Sequence, residues 1–219
     1  ALADRIRHIG VVAVLVVERP EDGPPLARAL LEGGVGVMEL TLRTPAALEA
    51  LRRIRAEVPQ MVAGVGTILR PEQVEAAHAA GAAFGVSPGT NPRVLEAAAR
   101  IGLSFAPGVA TPSDIERALE YDCALLKLFP AEPLGGIAYL RGMAAPYVHL
   151  GVRFIPLGGL TQGNISQWLA EPLVLAVGGS WLAPKDLIRA GDWAGIRALA
   201  EAAGIAVMQT RQAQANGGA

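Results

Sequence analysis

The sequence has few cysteine, lysine and histidine residues, and the shortages of cysteine and histidine each exclude a kind of chemistry. Cys123 is the only cysteine among 219 residues, so no disulfide can form within the chain and a reducing compartment, the cytoplasm, is expected. The 3 histidines are far apart, and none has a second ligand at a useful spacing. The sequence therefore predicts no metal site and no cofactor.

The chain also lacks an excess of charge of either sign and a long apolar run. Its formal net charge is -1, and charged residues make up 18% of it. Such a balance provides no basic face for a nucleic acid or an anionic lipid. The apolar run over 11–17 is too short to cross a membrane. We therefore expect a soluble globular protein that acts on small molecules, with no nucleic-acid partner and no membrane partner.

What the chain has instead is a regular alternation of two kinds of segment. Short stretches rich in valine, isoleucine and leucine alternate with amphipathic stretches, which is typical of repeated βα units. Strands are predicted over residues 11–17, 35–42, 61–66, 83–86, 103–106, 124–129, 153–157 and 173–177. Four helices are predicted to begin at or near Pro45, Pro71, Pro92 and Pro112.

Eight strands in one domain over 1–219 predict a single-domain (β/α)8 TIM barrel, an α/β fold. A short N-terminal helix is expected over 1–9 and a frayed polar tail over 212–219. An open doubly wound sheet is the alternative, but residues 17–20 lack the glycine-rich loop that a dinucleotide site requires after the first strand. The barrel is therefore preferred, with reacting groups at the carboxyl ends of its strands.

The segment 124–129 places Lys127 in the middle of an apolar run with the pattern of a buried strand. Lysine occurs only at this position and at Lys185, while 17 basic residues are arginine. Arginine stays protonated, whereas a lysine in apolar surroundings can lose its proton and become a nucleophile. The alternative is a lysine whose side chain extends past its neighbours to reach water. We predict that Lys127 carries covalent chemistry.

The second predicted strand places polar side chains on one face. Glu39, Thr41 and Arg43 alternate with Met38, Leu40 and Leu42, so in a barrel the polar set faces inward. Glu39 is then a candidate general acid/base for proton transfers around Lys127, and a buried ion pair with an arginine is the alternative. Arg43, nearer the strand end, is a candidate for binding a substrate carboxylate through two hydrogen bonds, or else a solvated charge at the rim.

Glycine-rich turns close several of the other predicted strands. Thr67 follows the third strand and can donate a hydrogen bond to a carboxylate, while Pro88 lies in the turn after the fourth. Gly158 and Gly159 follow the seventh strand, and residues 178–180 follow the eighth. Barrels commonly bind phosphate through the loops after these last two strands, so we predict a phosphate or carboxylate site here rather than plain turns.

Five of these segments, taken together and in order, are highly specific, although each alone is weak. They read Glu-Leu-Thr-Leu-Arg-Thr at 39–44, Gly-Val-Gly-Thr at 64–67, Ser-Pro-Gly at 87–89, Lys-Leu-Phe-Pro-Ala-Glu at 127–132 and Gly-Gly-Ser-Trp at 178–181. The chain resembles, over nearly its whole length, the bacterial 2-keto-3-deoxy-6-phosphogluconate (KDPG) and 4-hydroxy-2-oxoglutarate (KHG) aldolase family. The resemblance implies a metal-independent class I aldolase of the Entner-Doudoroff route, a (β/α)8 barrel that forms a homotrimer and acts on a keto acid.

The resemblance also implies a role for each candidate residue. Lys127 would form the Schiff base and Glu39 would act as the acid/base. Arg43 and Thr67 would hold the pyruvate carboxylate, and Pro88 and Phe129 would line the pocket. Gly158, Gly159 and Ser180 would contact the distal phosphate. Leu157 stands where the family commonly has threonine, which removes a hydroxyl near the distal group and leaves both KDPG and KHG as substrates.

Other functions fit the same architecture. In a phosphosugar epimerase or isomerase, Glu39 would abstract a proton and Lys127 would only polarise a carbonyl. A noncatalytic barrel that binds a phosphorylated metabolite would show binding without turnover, and a divalent-metal aldolase would lose its activity on chelation. The polar pair predicted inside the barrel favours the Schiff-base enzyme.

Overall fold

The computed structural model describes residues 2–217 and has an α/β fold in which helices cover curled parallel sheets. The first sheet has six strands in the order β5-β4-β3-β2-β1-β9. They are β1 (Val11–Leu15), β2 (Val37–Thr41), β3 (Val62–Gly66), β4 (Gly85–Val86), β5 (Phe105–Ala106) and β9 (Val177–Gly179). The second sheet has the order β6-β7-β8. Its strands are β6 (Gly108–Val109), β7 (Leu125–Leu128) and β8 (Arg153–Pro156).

The strand pattern differs from the predicted eight at two places. The fifth predicted strand is followed by Pro107, which separates β5 from β6 and has no N–H to donate to a neighbouring strand. The eighth predicted strand contains a single bridge, from Val174 to Phe154, before β9 begins at Val177. The α/β class is confirmed, whereas the described strands form two sheets in place of one continuous barrel of eight.

Ten α-helices lie around the sheets in the described part of the chain. They are α1 (Leu2–Ile9), α2 (Gly23–Glu32), α3 (Ala47–Glu57), α4 (Pro71–Ala79), α5 (Pro92–Ile101), α6 (Pro112–Leu119), α7 (Gly136–Ala144), α8 (Ile165–Leu169), α9 (Lys185–Ala190) and α10 (Trp193–Gly217). Two 3-10 helices span Pro20–Asp22 and Ala145–Leu150. None of the helices described within 2–217 is both long and apolar enough to cross a membrane.

Three of the predicted helix starts are confirmed at proline. At α5, the Asn91 side chain accepts a hydrogen bond from the backbone N–H of Arg93 at 3.1 Å. At α6, Thr111 and Asp114 cap each other, with the Asp114 carboxylate accepting from the Thr111 N–H at 2.9 Å. Such caps satisfy backbone groups that a helix terminus leaves without partners. The helix predicted near Pro45 begins two residues later, at α3.

The ends of the chain differ in part from the prediction. The predicted N-terminal helix is present as α1, while Ala1 lies outside the described residues. The sequence predicts a frayed tail over 212–219, but residues 212–217 continue α10. There Gln214 donates through Nε2 to the carbonyl oxygens of Leu169 and Ala170, at 3.4 and 3.2 Å. Residues 218 and 219 lie outside the described part.

Alternation along the strands divides the apolar side chains into two clusters. In β1, Val11, Ala13 and Leu15 pack beneath the helices, whereas Val12 and Val14 belong to a cluster enclosed by the curled sheets. The same alternation places Met38 and Leu40 of β2 and Leu126 and Leu128 of β7 beneath the helices. The remaining side chains of these two strands, among them Glu39 and Lys127, therefore lie on the enclosed face.

Candidate active site

Lys127 and Glu39 meet on the enclosed face of the sheets. The Lys127 Nζ lies 3.4 Å from the Glu39 Oε1, although the two residues are 88 positions apart in sequence. Both residues are buried, with exposures of 6% and 2%. The contact is longer than the 2.7–2.9 Å of a tight charge-assisted hydrogen bond. The pair is thus close enough to exchange protons, directly or through one water, without being locked together.

The backbone positions both side chains through the strand ladders. Glu39 lies in β2 opposite Val14 of β1 and Gly64 of β3. Lys127 lies in β7 opposite Gly108 of β6, and its own N–H donates to the Pro107 carbonyl at 2.9 Å. Because these backbones are hydrogen-bonded on both sides, the two side chains have little freedom to move apart.

Gly66, at the end of β3, provides the space that the Glu39 carboxylate occupies. A Cβ built at Gly66 would lie 1.7 Å from the Glu39 Oε1 and 2.3 Å from its Cδ. Gly66 has a negative φ and needs no special backbone conformation, so the missing side chain is what matters here. The sequence analysis assigned this glycine no such role, and only the neighbourhood of Glu39 reveals it.

Thr41 connects the rim of the site to the sheet. Its Oγ1 donates to the carbonyl of Leu15 in β1 at 2.9 Å and accepts from the Arg43 Nε at 3.3 Å. Thr41 is buried, while Arg43 is exposed at the rim beyond the strand end. Arg43 is therefore tethered at one nitrogen. Sequence analysis did not identify Thr41 as the tether.

Two further candidates lie at strand ends near the pair. The Phe129 ring centroid is 5.5 Å from the Lys127 Nζ, within the range of a cation–π contact. Thr67 follows β3 with a φ of 60°, a left-handed conformation that is unusual outside glycine. Such strain is often found at functional sites, where the surrounding structure holds the residue in place. The N–H of Ile68, which donates to the Val86 carbonyl at 3.1 Å, fixes the chain just after Thr67.

Pro88 lies in a turn packed closely against β6. The Ser87 hydroxyl donates to the Gly89 carbonyl at 2.6 Å, which closes the turn. A Cβ built at Gly108 would lie 2.1 Å from the Pro88 oxygen, so this turn contacts the strand next to Lys127.

The predicted distal-group residues lie at the ends of β8 and β9. Gly158 and Gly159 both have positive φ, 94° and 85°, a region that favours glycine. Ser180 directly follows β9 and is exposed. Leu157, in contrast, is buried in the enclosed cluster, where its side chain packs against Gly178. The loops after β8 and β9 therefore begin at the same edge of the sheets, because parallel strands end at one edge.

A cavity of about 520 Å³ reaches the Lys127–Glu39 pair from inside the sheets. Its lining is mostly apolar and includes Val12, Phe84 and Ile6 of α1. The cavity wall contains none of the predicted carboxylate- or phosphate-binding residues, which lie at the rim. The pair thus separates an apolar interior from a polar rim, and the amine is held in a poorly solvated position.

Cys123 precedes β7 and lines the same cavity as Lys127 and Glu39. Partial burial and, secondarily, the neighbouring Asp122 carboxylate raise the pKa of its thiol to about 11. Within 2–217 there is no group of three or more His, Cys, Asp and Glu side chains placed to hold a metal ion.

Known proteins resemble this chain in both sequence and structure. A family model described as "Aldolase: KDPG and KHG aldolase" matches residues 2–199. A 2-dehydro-3-deoxy-phosphogluconate aldolase of Treponema pallidum is 46% identical over 90% of this chain and 93% of its own length. A KHG/KDPG aldolase of Escherichia coli K12 is 42% identical, over 88% and 90%.

A solved structure shares the architecture as well. It is a KDPG aldolase from Legionella pneumophila, crystallised with pyruvate captured at low pH as a covalent carbinolamine intermediate. It matches with a TM-score of 0.85 and 37% identity, over 89% of this chain and 93% of that one. The predicted family and the predicted class of enzyme, an aldolase, are confirmed by these matches. With a family model matched over residues 2–199, this chain belongs to the KDPG and KHG aldolase family.

Proposed function

We propose that the protein is a class I aldolase that cleaves KDPG to pyruvate and glyceraldehyde 3-phosphate, KHG to pyruvate and glyoxylate, or both. One observation carries the proposal: the amine of Lys127 lies 3.4 Å from the carboxylate of Glu39, at a cavity whose lining is mostly apolar. A nucleophile beside an acid/base is the arrangement that Schiff-base formation requires. The Legionella pneumophila relative was captured with pyruvate bound covalently as a carbinolamine.

The keto acid binds first, with its carboxylate at the rim. Arg43 and Thr67 hold the carboxylate, and the tether from Thr41 to the Arg43 Nε leaves the terminal guanidinium nitrogens free to donate. Phe129 and Pro88 form walls around the carbonyl carbon. This orientation presents C2 of the substrate to the Lys127 amine, which converts a bimolecular encounter into a reaction within the bound complex.

Imine formation follows, with Glu39 moving the protons. Neutral Lys127 attacks C2, the carbonyl oxygen takes up a proton that Glu39 delivers, and the attacking nitrogen returns a proton to Glu39, giving the carbinolamine. Glu39 then protonates the departing hydroxyl, which leaves as water, and the lone pair of the nitrogen forms the C=N bond. The protonated imine is an electron sink for the next step.

Cleavage breaks the bond between C3 and C4. Glu39, through a water, takes the proton of the C4 hydroxyl, the C4–O bond becomes a carbonyl, and the electrons of C3–C4 move into the iminium to give an enamine. The enamine is protonated at C3, and water hydrolyses the imine to release pyruvate and the free amine. The aldehyde fragment carries the distal phosphate or carboxylate.

The distal group lies at the loops after β8 and β9 in this proposal. Gly158, Gly159 and Ser180 offer backbone N–H groups and a hydroxyl at the edge where parallel strands end. Leu157 adds no hydroxyl to this site, because leucine is aliphatic. Its side chain packs in the apolar cluster. Binding of the distal group therefore depends on the glycine pair and Ser180.

Steady-state assays of two variants test the proposed function. Lys127→Arg keeps the positive charge and removes the nucleophile, so we expect cleavage of both substrates to fall by at least about 10⁴-fold. Glu39→Gln should lower kcat by about 10²–10⁴-fold. An epimerase that uses Lys127 only to polarise a carbonyl would retain much of its activity in Lys127→Arg, and this result would replace the aldolase proposal.

We further propose that the two sheets belong to one closed (β/α)8 barrel. Two links support this: Pro107 joins β5 directly to β6 along the chain, and the Leu175 N–H, just before β9, donates to the Phe154 carbonyl of β8 at 2.9 Å. The homotrimer and the cytoplasmic location are likewise proposals, which rest on the family resemblance and on the single cysteine. A monomeric mass by light scattering would refute the trimer.

A further inference from the structure

Glu132 has a set of contacts that the proposed reaction does not use. It lies in the turn that follows β7, and its Oε1 accepts from the Trp168 Nε1 at 2.6 Å and from the Asn164 Nδ2 at 3.3 Å. Trp168 is 1% exposed, so its N–H has no access to water and depends on this oxygen. Two donors from the segment that forms α8 thus converge on one carboxylate oxygen.

The same residue and its partner hold the glycine pair. The Glu132 N–H donates to the Gly158 carbonyl at 3.0 Å, and the Asn164 Nδ2 donates to the Gly159 carbonyl at 3.2 Å. One residue earlier, the Ala131 N–H donates to the Leu157 carbonyl at 2.7 Å. The Leu157 and Gly158 carbonyls therefore point toward the segment that contains Glu132, and the Gly159 carbonyl points toward Asn164.

The orientation of these carbonyls fixes the direction of the neighbouring N–H groups. In a trans peptide the C=O and the following N–H point in opposite directions. The N–H groups of Gly158, Gly159 and Leu160 therefore point away from Glu132, and no acceptor within the described residues binds them. A row of unpaired N–H groups is a site for an anion.

The close approach of Glu132 explains why residue 159 is a glycine. A Cβ built at Gly159 would lie 2.5 Å from the Glu132 Cβ and 2.8 Å from its Cγ. The loop can lie against the Glu132 stem only because Gly159 has no side chain. Gly159 thus packs against the side-chain stem of Glu132, and the N–H groups of the glycine pair lie on the side away from this contact.

We propose that Glu132 is a positioning residue, whose carboxylate holds Asn164 and Trp168 so that the N–H groups of Gly158 and Gly159 point at the distal phosphate of the substrate. This rests on the proposed aldolase function and adds a residue that contacts no substrate atom. The carboxylate acts through Asn164, which Oε1 fixes in the orientation that reaches the Gly159 carbonyl. The Asn164 Oδ1 also accepts from the Thr161 N–H at 2.8 Å, so a residue without an acceptor at position 132 would remove one of the three hydrogen bonds that orient this amide.

The test compares Glu132→Ala with Glu132→Gln in two assays. For cleavage of KDPG, Glu132→Ala should raise KM about 10- to 100-fold with kcat within about threefold of wild type, the loss expected for one or two hydrogen bonds to a charged group. Glu132→Gln keeps an acceptor oxygen and should stay within about threefold of wild type in both constants.

The second assay measures exchange of the methyl protons of pyruvate with deuterium from the solvent, followed by NMR. Pyruvate has no distal group, so its exchange through the enamine reports Lys127, Glu39 and the residues that hold the pyruvate carboxylate, without the distal site. We expect the exchange rate of Glu132→Ala to stay within about threefold of wild type. Glu96→Ala, which removes an exposed carboxylate from α5, should change neither assay.

Each outcome decides the proposal. An unchanged KM for KDPG in Glu132→Ala, or an equal loss of cleavage and of pyruvate exchange, would overturn it. If Glu132→Ala does not fold, Asn164→Ala replaces it, because it removes the amide from the Gly159 carbonyl at a half-buried position and should give the same KM effect. Wild-type protein that exchanges no pyruvate protons would instead refute the aldolase function itself.

Discussion

Gly66→Ala provides a sharp test of the Lys127–Glu39 pair, because it changes neither residue. The new Cβ would lie 1.7 Å from the Glu39 Oε1, whereas real Cβ contacts below 3.0 Å are essentially never seen. The carboxylate must therefore move by about 1 Å or more, and a displacement of about 1 Å from the reacting geometry can cost about 10²-fold in rate. We expect kcat for KDPG cleavage to fall by about 10²–10³-fold.

The stability change should be smaller than the change in activity. Adding one methyl group to a packed position costs about 1–3 kcal/mol of unfolding free energy, and the rest of β3 keeps its ladder to β2. The assay couples pyruvate release to lactate dehydrogenase, alongside thermal unfolding of the same preparation. A folded enzyme with little activity is the expected result.

Two other glycines provide matched controls. Gly64→Ala lies in the same strand, but its Cβ would meet the Phe84 ring at 2.3 Å and not the Glu39 carboxylate, so its loss of kcat should be at least tenfold smaller. Gly142→Ala, on α7, has no heavy atom within 4 Å of the new Cβ and should behave as wild type. A folded Gly66→Ala enzyme with kcat within threefold of wild type would refute the proposed role of Glu39.

Three further predictions concern the rim, the distal site and the thiol. Thr41→Val removes the hydroxyl that links Arg43 to the Leu15 carbonyl, so KM for KDPG should rise about 5- to 50-fold in steady-state assays while kcat changes less; an unchanged KM would contradict the tether. Leu157→Thr places a hydroxyl before the glycine pair and should raise the ratio of kcat/KM for KDPG over KHG. Because the position is buried, the substitution should also lower the unfolding free energy by about 1–3 kcal/mol. A ratio equal to that of wild type would show that this position does not select the substrate. Because the pKa of Cys123 is raised from 9.0 to about 11, its thiolate is about a hundredfold rarer at pH 8 than that of an unperturbed thiol. Alkylation by iodoacetamide should therefore be about a hundredfold slower in the folded than in the unfolded protein. Equal rates would contradict the burial of Cys123.

The order of the elements could be predicted from the sequence because hydrophobic periodicity and helix caps are local. The starts at Pro71, Pro92 and Pro112 followed from proline and capping side chains at each helix N-terminus. The break at Pro107 was not predicted, since a proline next to a short apolar run is compatible with one strand or two. The continuation of α10 through residues 212–217 was not predicted either, because Gln214 is held by contacts with α8 that are distant in sequence.

The candidate site was predictable where a residue type is unusual for its position. A lysine in an apolar strand and a glutamate on a polar face identified Lys127 and Glu39; alternation placed Glu39 on the inward face but left the face of Lys127 open, because both faces of its strand are apolar. The sequence contained no sign that Gly66 makes room for the carboxylate or that Glu132 holds the glycine pair. Both depend on atoms brought together across strands, and only the structure gives those distances.

The central claim is that Lys127 forms a Schiff base with the keto acid, and borohydride trapping tests it most directly. The protein is incubated with pyruvate, reduced with sodium borohydride, digested and analysed by mass spectrometry. We predict a three-carbon adduct on Lys127, absent when pyruvate or borohydride is omitted, together with loss of cleavage activity in proportion to the adduct. An unmodified Lys127 in protein that cleaves KDPG at its full rate would contradict the account.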